Sequence, residues 1–270
     1  DTVTVKPGAY KITVKGRLFN ESAGATYLKG ANVFANVNRK SITKEGIEDP
    51  ENAIDGAKYA DFNGKLYYYK DDFEGYGVVG SDGKLIFGMY IKDANCNWLA
   101  HKNYQVYYLG DSFESLDYVR QNTNLLADAY DEEVVAQKSL VGEYNAAVAS
   151  YNAATDAASI ISASAKIAEL QDSVANNIAA YKAYTDRLDF ISNYMGNEGA
   201  TLEGPEVDLL TDYLDGDEGP CDEYPNGYSH YILDQLTLNT PEIKAELEFL
   251  NQLFNSALEN GITLKYLHPV

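Results

Sequence analysis

The first 110 residues alternate between apolar and polar positions. In GAYKITVKGRLF, Tyr10, Ile12, Val14 and Leu18 fall on one side, while Lys11, Thr13, Lys15 and Arg17 fall on the other. Period two is the mark of a strand with one wet face. KLIFGMYIKD repeats it with Leu85, Phe87, Met89 and Ile91, and NYQVYYL with Tyr104, Val106 and Tyr108. Turn residues separate the runs: Pro7-Gly8, Asn63-Gly64 and Ser81-Asp82-Gly83. Several antiparallel strands with no helical period predict a β-sandwich or jelly roll over residues 1–110. The stretch from Thr43 to Ala57 is polar, lacks alternation and reads as a long loop.

After Gly110 the period becomes helical. Phe113, Leu116, Val119, Thr123, Leu126 and Tyr130 stand three or four apart, and Leu140, Val141, Tyr144, Val148 and Tyr151 continue in a second helix. The third apolar series runs from Ile160 through Ile167, Val174, Ile178, Tyr181, Tyr184 and Leu188 to Met195, a heptad-like seam. A helix from Thr155 to Met195 would be roughly 60 Å long at about 1.5 Å per residue. Pro205 opens a shorter helix carrying Val207, Leu210 and Leu214. Thr240-Pro241-Glu242 signals another N-terminus, with the Thr240 hydroxyl as cap. Ile243, Leu247, Leu250, Phe254 and Leu258 form its apolar face, and Gly261 closes it. Residues 111–270 are therefore expected to form an antiparallel helical bundle with one long helix.

Charge divides the chain at the same place. Residues 1–110 hold 14 Lys+Arg and 13 Asp+Glu; residues 111–270 hold 7 and 28, and the two balances, +1 and −21, give the net −20. An acidic second half disfavours nucleic acid and anionic membrane surfaces as partners. No apolar run approaches the ~20 residues of a membrane helix, and DTVTV has neither the basic start nor the apolar stretch of a signal peptide. Cys96 and Cys221 stand alone; they allow a bridge in an oxidising compartment but read first as small buried side chains.

Motifs for chemistry are absent. There is no G-x-S-x-G, HExxH, GxGxxG, GKS/T or CxxC, and His101, His230 and His268 are scattered. The chain is expected to be non-catalytic. Asp215 to Glu223 is rich in carboxylates but fails the EF-hand template, with Pro220 where that loop needs glycine, so no cofactor or metal is assigned there. Sugar binding requires an aromatic platform beside planar hydrogen-bonding groups. The candidates are Asn20, Arg39, Tyr68, Tyr76, Trp98 and His101, with Tyr67, Tyr69, Phe73, Asn95 and Asn97 as further residues of the right type.

PGAYKITVKGRLF, DGKLIFG and Trp98 followed by KNYQVYYLG resemble three motifs of one family: the jelly-roll, galactose-binding-domain-like modules of surface and secreted proteins from gut Bacteroidetes. Lys102 stands where that family usually has aspartate. EGPEVDLLTDYLDGDEGPCDEYPNGYSHYIL with the TPEI helix resembles the acidic helical segments that separate such modules. The resemblance implies export to the cell surface or medium, glycan as ligand, neighbouring domains of a larger chain as partners, and a structural calcium in many members. Residues 1–110 carry no local calcium signature. Two alternatives stand beside glycan binding: a purely adhesive segment, with self-association through the helices, and an accessory region of a larger glycan-degrading enzyme.

Overall fold

The computed structural model describes residues 1–20, 31–42, 59–62, 65–91, 98–126 and 131–263. The Thr43–Ala57 stretch, Asn95, Cys96 and Asn97 lie outside them. Antiparallel strands come first: β1 (Thr2–Thr4), β2 (Gly8–Asn20), β3 (Ala31–Ala35), β4 (Asn38–Ser41), β5 (Tyr59–Phe62), β6 (Lys65–Val79), β7 (Lys84–Ile91) and β8 (Trp98–Gly110). Helices follow: α1 (Phe113–Asn122), α2 (Asp131–Ala136), α3 (Val141–Ala153), the long α4 (Ala157–Asn197), α5 (Pro205–Asp215), α6 (Ser229–Gln235) and α7 (Thr240–Asn260). Three two-residue strands, β9 (Asn124–Leu125), β10 (Leu202–Glu203) and β11 (Ile262–Thr263), lie among them.

The rhythm changes at Gly110, but the packing divides the chain elsewhere. Asp1–Glu132 with Glu143–Gln171 form one compact unit, and Glu133–Gly142 with Asp172–Val270 form the other.

In the first unit one sheet has the order β1-β7-β3-β4-β9 and the other β5-β6-β2-β8. Tyr10, Ile12, Val14, Phe73 and Val79 of the second sheet share a core with Ala31, Val33, Ala35, Leu85 and Phe87 of the first. Tyr10, Ile12, Val14, Leu85 and Phe87 are positions the alternation assigned to the apolar face, whereas Ile91 and Tyr108, assigned to it as well, are exposed. The sheets approach closely where β6 crosses β3. A Cβ on Gly75 would sit 2.6 Å from Val33 Cγ1, and one on Gly77 would sit 2.5 Å from both Cβ and O of Ala35.

Helix α1 stops sooner than its periodicity suggests. Thr123, which the sequence reading continued into the helix, is its extended C-cap, and Asn124–Leu125 pair with Asn38 and Arg39 of β4. The Thr123 hydroxyl donates to Val119 O at 2.6 Å and accepts from Asn38 Nδ2 at 3.1 Å, so the strand partner wins over helix continuation. Asn38 Nδ2 also reaches Tyr151 Oη of α3 at 2.9 Å, inside the core. Arg120 donates to the carbonyls at the end of α3, Tyr151 O at 3.0 Å and Ala154 O at 2.8 Å, while Asp117 accepts from its guanidinium. A cation on the last carbonyls of a helix suits both their unused acceptors and the helix dipole.

The second unit packs α5 and α7 with the later half of α4 around Tyr184, Leu188, Ile191, Leu210, Tyr213, Ile243, Leu250 and Phe254. The seam read on α4 is covered within the chain from Ile160 to Ile191, except Ile178, which is 41% exposed. The cap of α7 is Asn239, one residue before the threonine expected. Asn239 Oδ1 accepts from Glu242 N, and Glu242 Oε2 accepts from Asn239 N, a reciprocal capping box. Thr240 Oγ1 instead donates to Asn177 Oδ1 at 2.9 Å. Cys221, read as buried, is an exposed free thiol in the loop before α6.

Glu246 lies on the apolar face of α7 and is buried. Its oxygens accept from Tyr213 Oη at 2.6 Å and Asn226 Nδ2 at 2.7 Å, and Tyr213 in turn hydrogen-bonds Tyr184. A buried carboxylate deprived of a donor pays a desolvation cost, so Tyr213→Phe is expected to lower stability by about 1–3 kcal/mol. Urea unfolding checks this. A loss below about 0.5 kcal/mol, the range of an ordinary surface change, would contradict it.

Candidate functional site

β2 and β6 pair in the register Lys11↔Tyr76 and Thr13↔Glu74, opposite in face to the core positions Ile12 and Tyr10. This outer row carries the chemistry. Glu74 Oε1 accepts from Lys11 Nζ at 2.5 Å, and Oε2 accepts from Tyr76 Oη at 2.9 Å. Lys40 Nζ of β4 lies 3.7 Å from Glu74 Oε2 and 4.8 Å from the centre of the Tyr76 ring. Tyr118 of α1 completes the group, its ring 5.5 Å from that of Tyr76 at 77°, an edge-to-face pair.

Helix α1 places Tyr118 there. Ser112 caps its N-terminus by accepting from Ser115 N at 3.3 Å, and Arg120 fixes its other end on α3. Leu116 and Val119 are buried, which turns Tyr118 outward. Lys11, Tyr76, Leu109, Glu114, Ser115 and Tyr118 line an open cleft of about 400 Å³. Its two tyrosines differ in role: Tyr76 is 4% exposed and forms a wall, whereas Tyr118 is 47% exposed and offers a ring face. A wider groove of about 710 Å³ between α3 and α4 is lined by alanine, serine, threonine and Lys166, with no aromatic.

The electrostatics of the cleft keep its groups in fixed states. Burial pushes the Glu74 carboxyl up, but hydrogen bonds from Lys11 and Tyr76 and the charges of Lys11 and Lys40 outweigh it, so it stays below its usual value and ionised. Burial, then hydrogen bonding with Tyr118 and Glu74, holds the Tyr76 hydroxyl well above the ordinary tyrosine range. Glu114, in the first turn of α1, is held down by hydrogen bonds to its own backbone and Ser112. At neutral pH the cleft presents the ionised carboxylates of Glu74 and Glu114, with Lys11 paired to Glu74, beside the exposed Tyr118 ring.

The residues selected from the sequence fall in different places. Asn20, Tyr68 and Trp98 occupy neighbouring register positions at one end of the four-stranded sheet, with Asn20 opposite Leu66, Tyr68 opposite Leu18 and Trp98 opposite Phe19. His101 follows on β8, exposed, its Nδ1 2.9 Å from Tyr104 Oη. Tyr76 is at the far end of the same sheet, and Arg39 is in the other sheet, donating from Nε to Leu125 O at 3.2 Å. The register does not bring the six together, and Tyr76 is the one of them among the described residues that line the cleft. Lys11 was legible as an outward strand residue; nothing in the sequence joined it to Glu74, Lys40 and Tyr118. Among the described residues no group of three or more His, Cys, Asp or Glu is placed to hold a metal ion, and no helix is long and apolar enough to cross a membrane.

No family model, curated protein or solved structure matches the chain.

Proposed function

We propose that the chain is a non-catalytic, carbohydrate-binding-like module with an acidic helical spacer, belonging to an exported surface protein of the kind the sequence resembles. Its first unit reads as a β-sandwich of jelly-roll type, a reading supported by two antiparallel sheets sharing one core. Its second reads as a helical bundle, supported by the common core of α4, α5 and α7.

The observation that carries the binding reading is the exposed Tyr118 ring standing at right angles to Tyr76 beside the Lys11–Glu74 pair. A sugar presents C–H bonds on its ring faces and hydroxyls around its rim. The first stack on an aromatic face, and the second take charge-assisted hydrogen bonds from groups already fixed in position. Lys11 and Glu74 hold each other in place, so little side-chain freedom is lost on binding.

The full chain on a glycan array should retain a defined set of sugars. Tyr118→Ala is expected to weaken the best of them by at least about tenfold, or about 1.4 kcal/mol, with the melting temperature unchanged because the ring is half exposed. Affinity that survives both Tyr118→Ala and Lys11→Ala would remove the cleft from the reading, and silence across plant, mucin and host glycans would remove the reading itself.

A further inference from the structure

The edges of the two sheets are unequal. Among the described residues, β1 and β9 end one sheet with three and two residues, and β5 ends the other with four. The remaining edge, β8, has 13 residues and, among the described residues, one strand neighbour, β2. An edge strand leaves every second N–H and C=O without a ladder partner, and proteins usually blunt such edges by shortening them or placing charge on them. Three edges here are short. The fourth is long and, from Tyr104 to Tyr108, carries neither charge nor proline.

Both ends of that stretch are closed. On one side Asn103, with φ of 56°, sits where the pairing with β2 shifts register between Thr13 and Lys15, next to the charged Lys102. On the other, Leu109 O already accepts from Ser115 Oγ at 3.1 Å. Between them Tyr104 and Val106 pack partly on the core, while Gln105, Tyr107 and Tyr108 are exposed.

We propose that this open edge is a self-association surface, in which Tyr104–Tyr108 pairs antiparallel with the same stretch of a second copy. A two-fold axis through Val106 sets Gln105 opposite Tyr107 and Tyr104 opposite Tyr108, each pair on one face of the joined sheet. The stretch Tyr104–Tyr108 holds no charged residue, so pairing it with the same stretch of a second copy sets no like charges opposite each other.

Sedimentation equilibrium of the full chain, with amide hydrogen exchange at low and high protein concentration, tests the proposal. A concentration-dependent dimer is expected, with protection rising in residues 104–108. Tyr107→Lys and Gln105→Lys, both at exposed positions, should each raise the dissociation constant at least about tenfold without lowering the monomer's melting temperature. A chain that stays monomeric at every concentration, or a dimer indifferent to both lysine variants with unchanged exchange at 104–108, would overturn it.

Discussion

Gly77→Val is expected to cost about 3 kcal/mol of stability, at the upper end of what overpacking a core extracts. A Cβ at position 77 would lie 2.5 Å from the carbonyl oxygen of Ala35, and a backbone atom cannot rotate away as a side chain can. β6 is paired with β2 through Tyr10↔Gly77, so moving it to relieve the clash opens the ladder as well as the core. Gly142→Ala provides the opposite sign. Nothing lies within 4 Å of a Cβ there, in the first turn of α3, and alanine is expected to stabilise by up to about 1 kcal/mol through helix propensity. Urea midpoints of the two variants should move in opposite directions. A Gly77→Val protein as stable as the parent would mean that the sheets do not approach as described.

Raising the pH above about 10 should unfold the protein steeply. Burial lifts the hydroxyls of Tyr104 and Tyr224 to about 12, and it lifts Tyr76, Tyr184 and Tyr213 further. An acid whose folded-state pKa is raised keeps its proton longer in the folded chain than in the unfolded one. Stability is therefore full below the unfolded value of 10.0 and is lost as pH rises past it. Each tyrosine neutral in the folded state and ionised in the unfolded one contributes about 1.4 kcal/mol per pH unit. Tyr184, Tyr213 and Tyr224, in the core of the second unit, give a slope of about 4 kcal/mol per unit for that unit, before any titrates while folded. Tyrosinate absorbance and circular dichroism followed together between pH 8 and about 12 provide the check. A group of tyrosines should ionise only as the helical signal collapses; smooth ionisation with the fold intact would contradict the burial described.

The β2, β7 and β8 strands could be read from the sequence because each keeps one wet face, and alternation survives wherever solvent touches one side of a sheet. β6 was harder to read, since Gly75 and Gly77 contribute no side chain to its apolar face and leave a pattern of polar and small residues. The long helix and the later helix starting at Pro205 followed from period and proline. The end of α1 did not, because Asn38, 85 residues away, supplies the partner that draws Thr123 out of the helix. Glu246 was misleading in a different way. It stands three residues after Ile243 and four before Leu250, so geometry puts it in the core while its charge suggests the surface. Its donors, Tyr213 and Asn226, come from distant segments.

The site shows the same limit more strongly. Sequence reasoning collected residues of the right chemistry, but Lys11, Lys40, Glu74 and Tyr118 lie on four elements and meet only through sheet register and the docking of α1. Neither period nor composition encodes that meeting. The aromatic run Tyr67-Tyr68-Tyr69 and the single tryptophan attracted attention because they are conspicuous in one dimension, whereas Tyr118 is an ordinary exposed position of an amphipathic helix.

The most direct test of the glycan cleft is a titration of the isotopically labelled full chain with its best array ligand, followed by NMR chemical shifts. The signals of Lys11, Glu74, Ser115 and Tyr118 are expected to move together with a single affinity. Shifts confined to the end of the sheet at Asn20, Tyr68, Trp98 and His101, with Tyr118 unmoved, would contradict the glycan cleft.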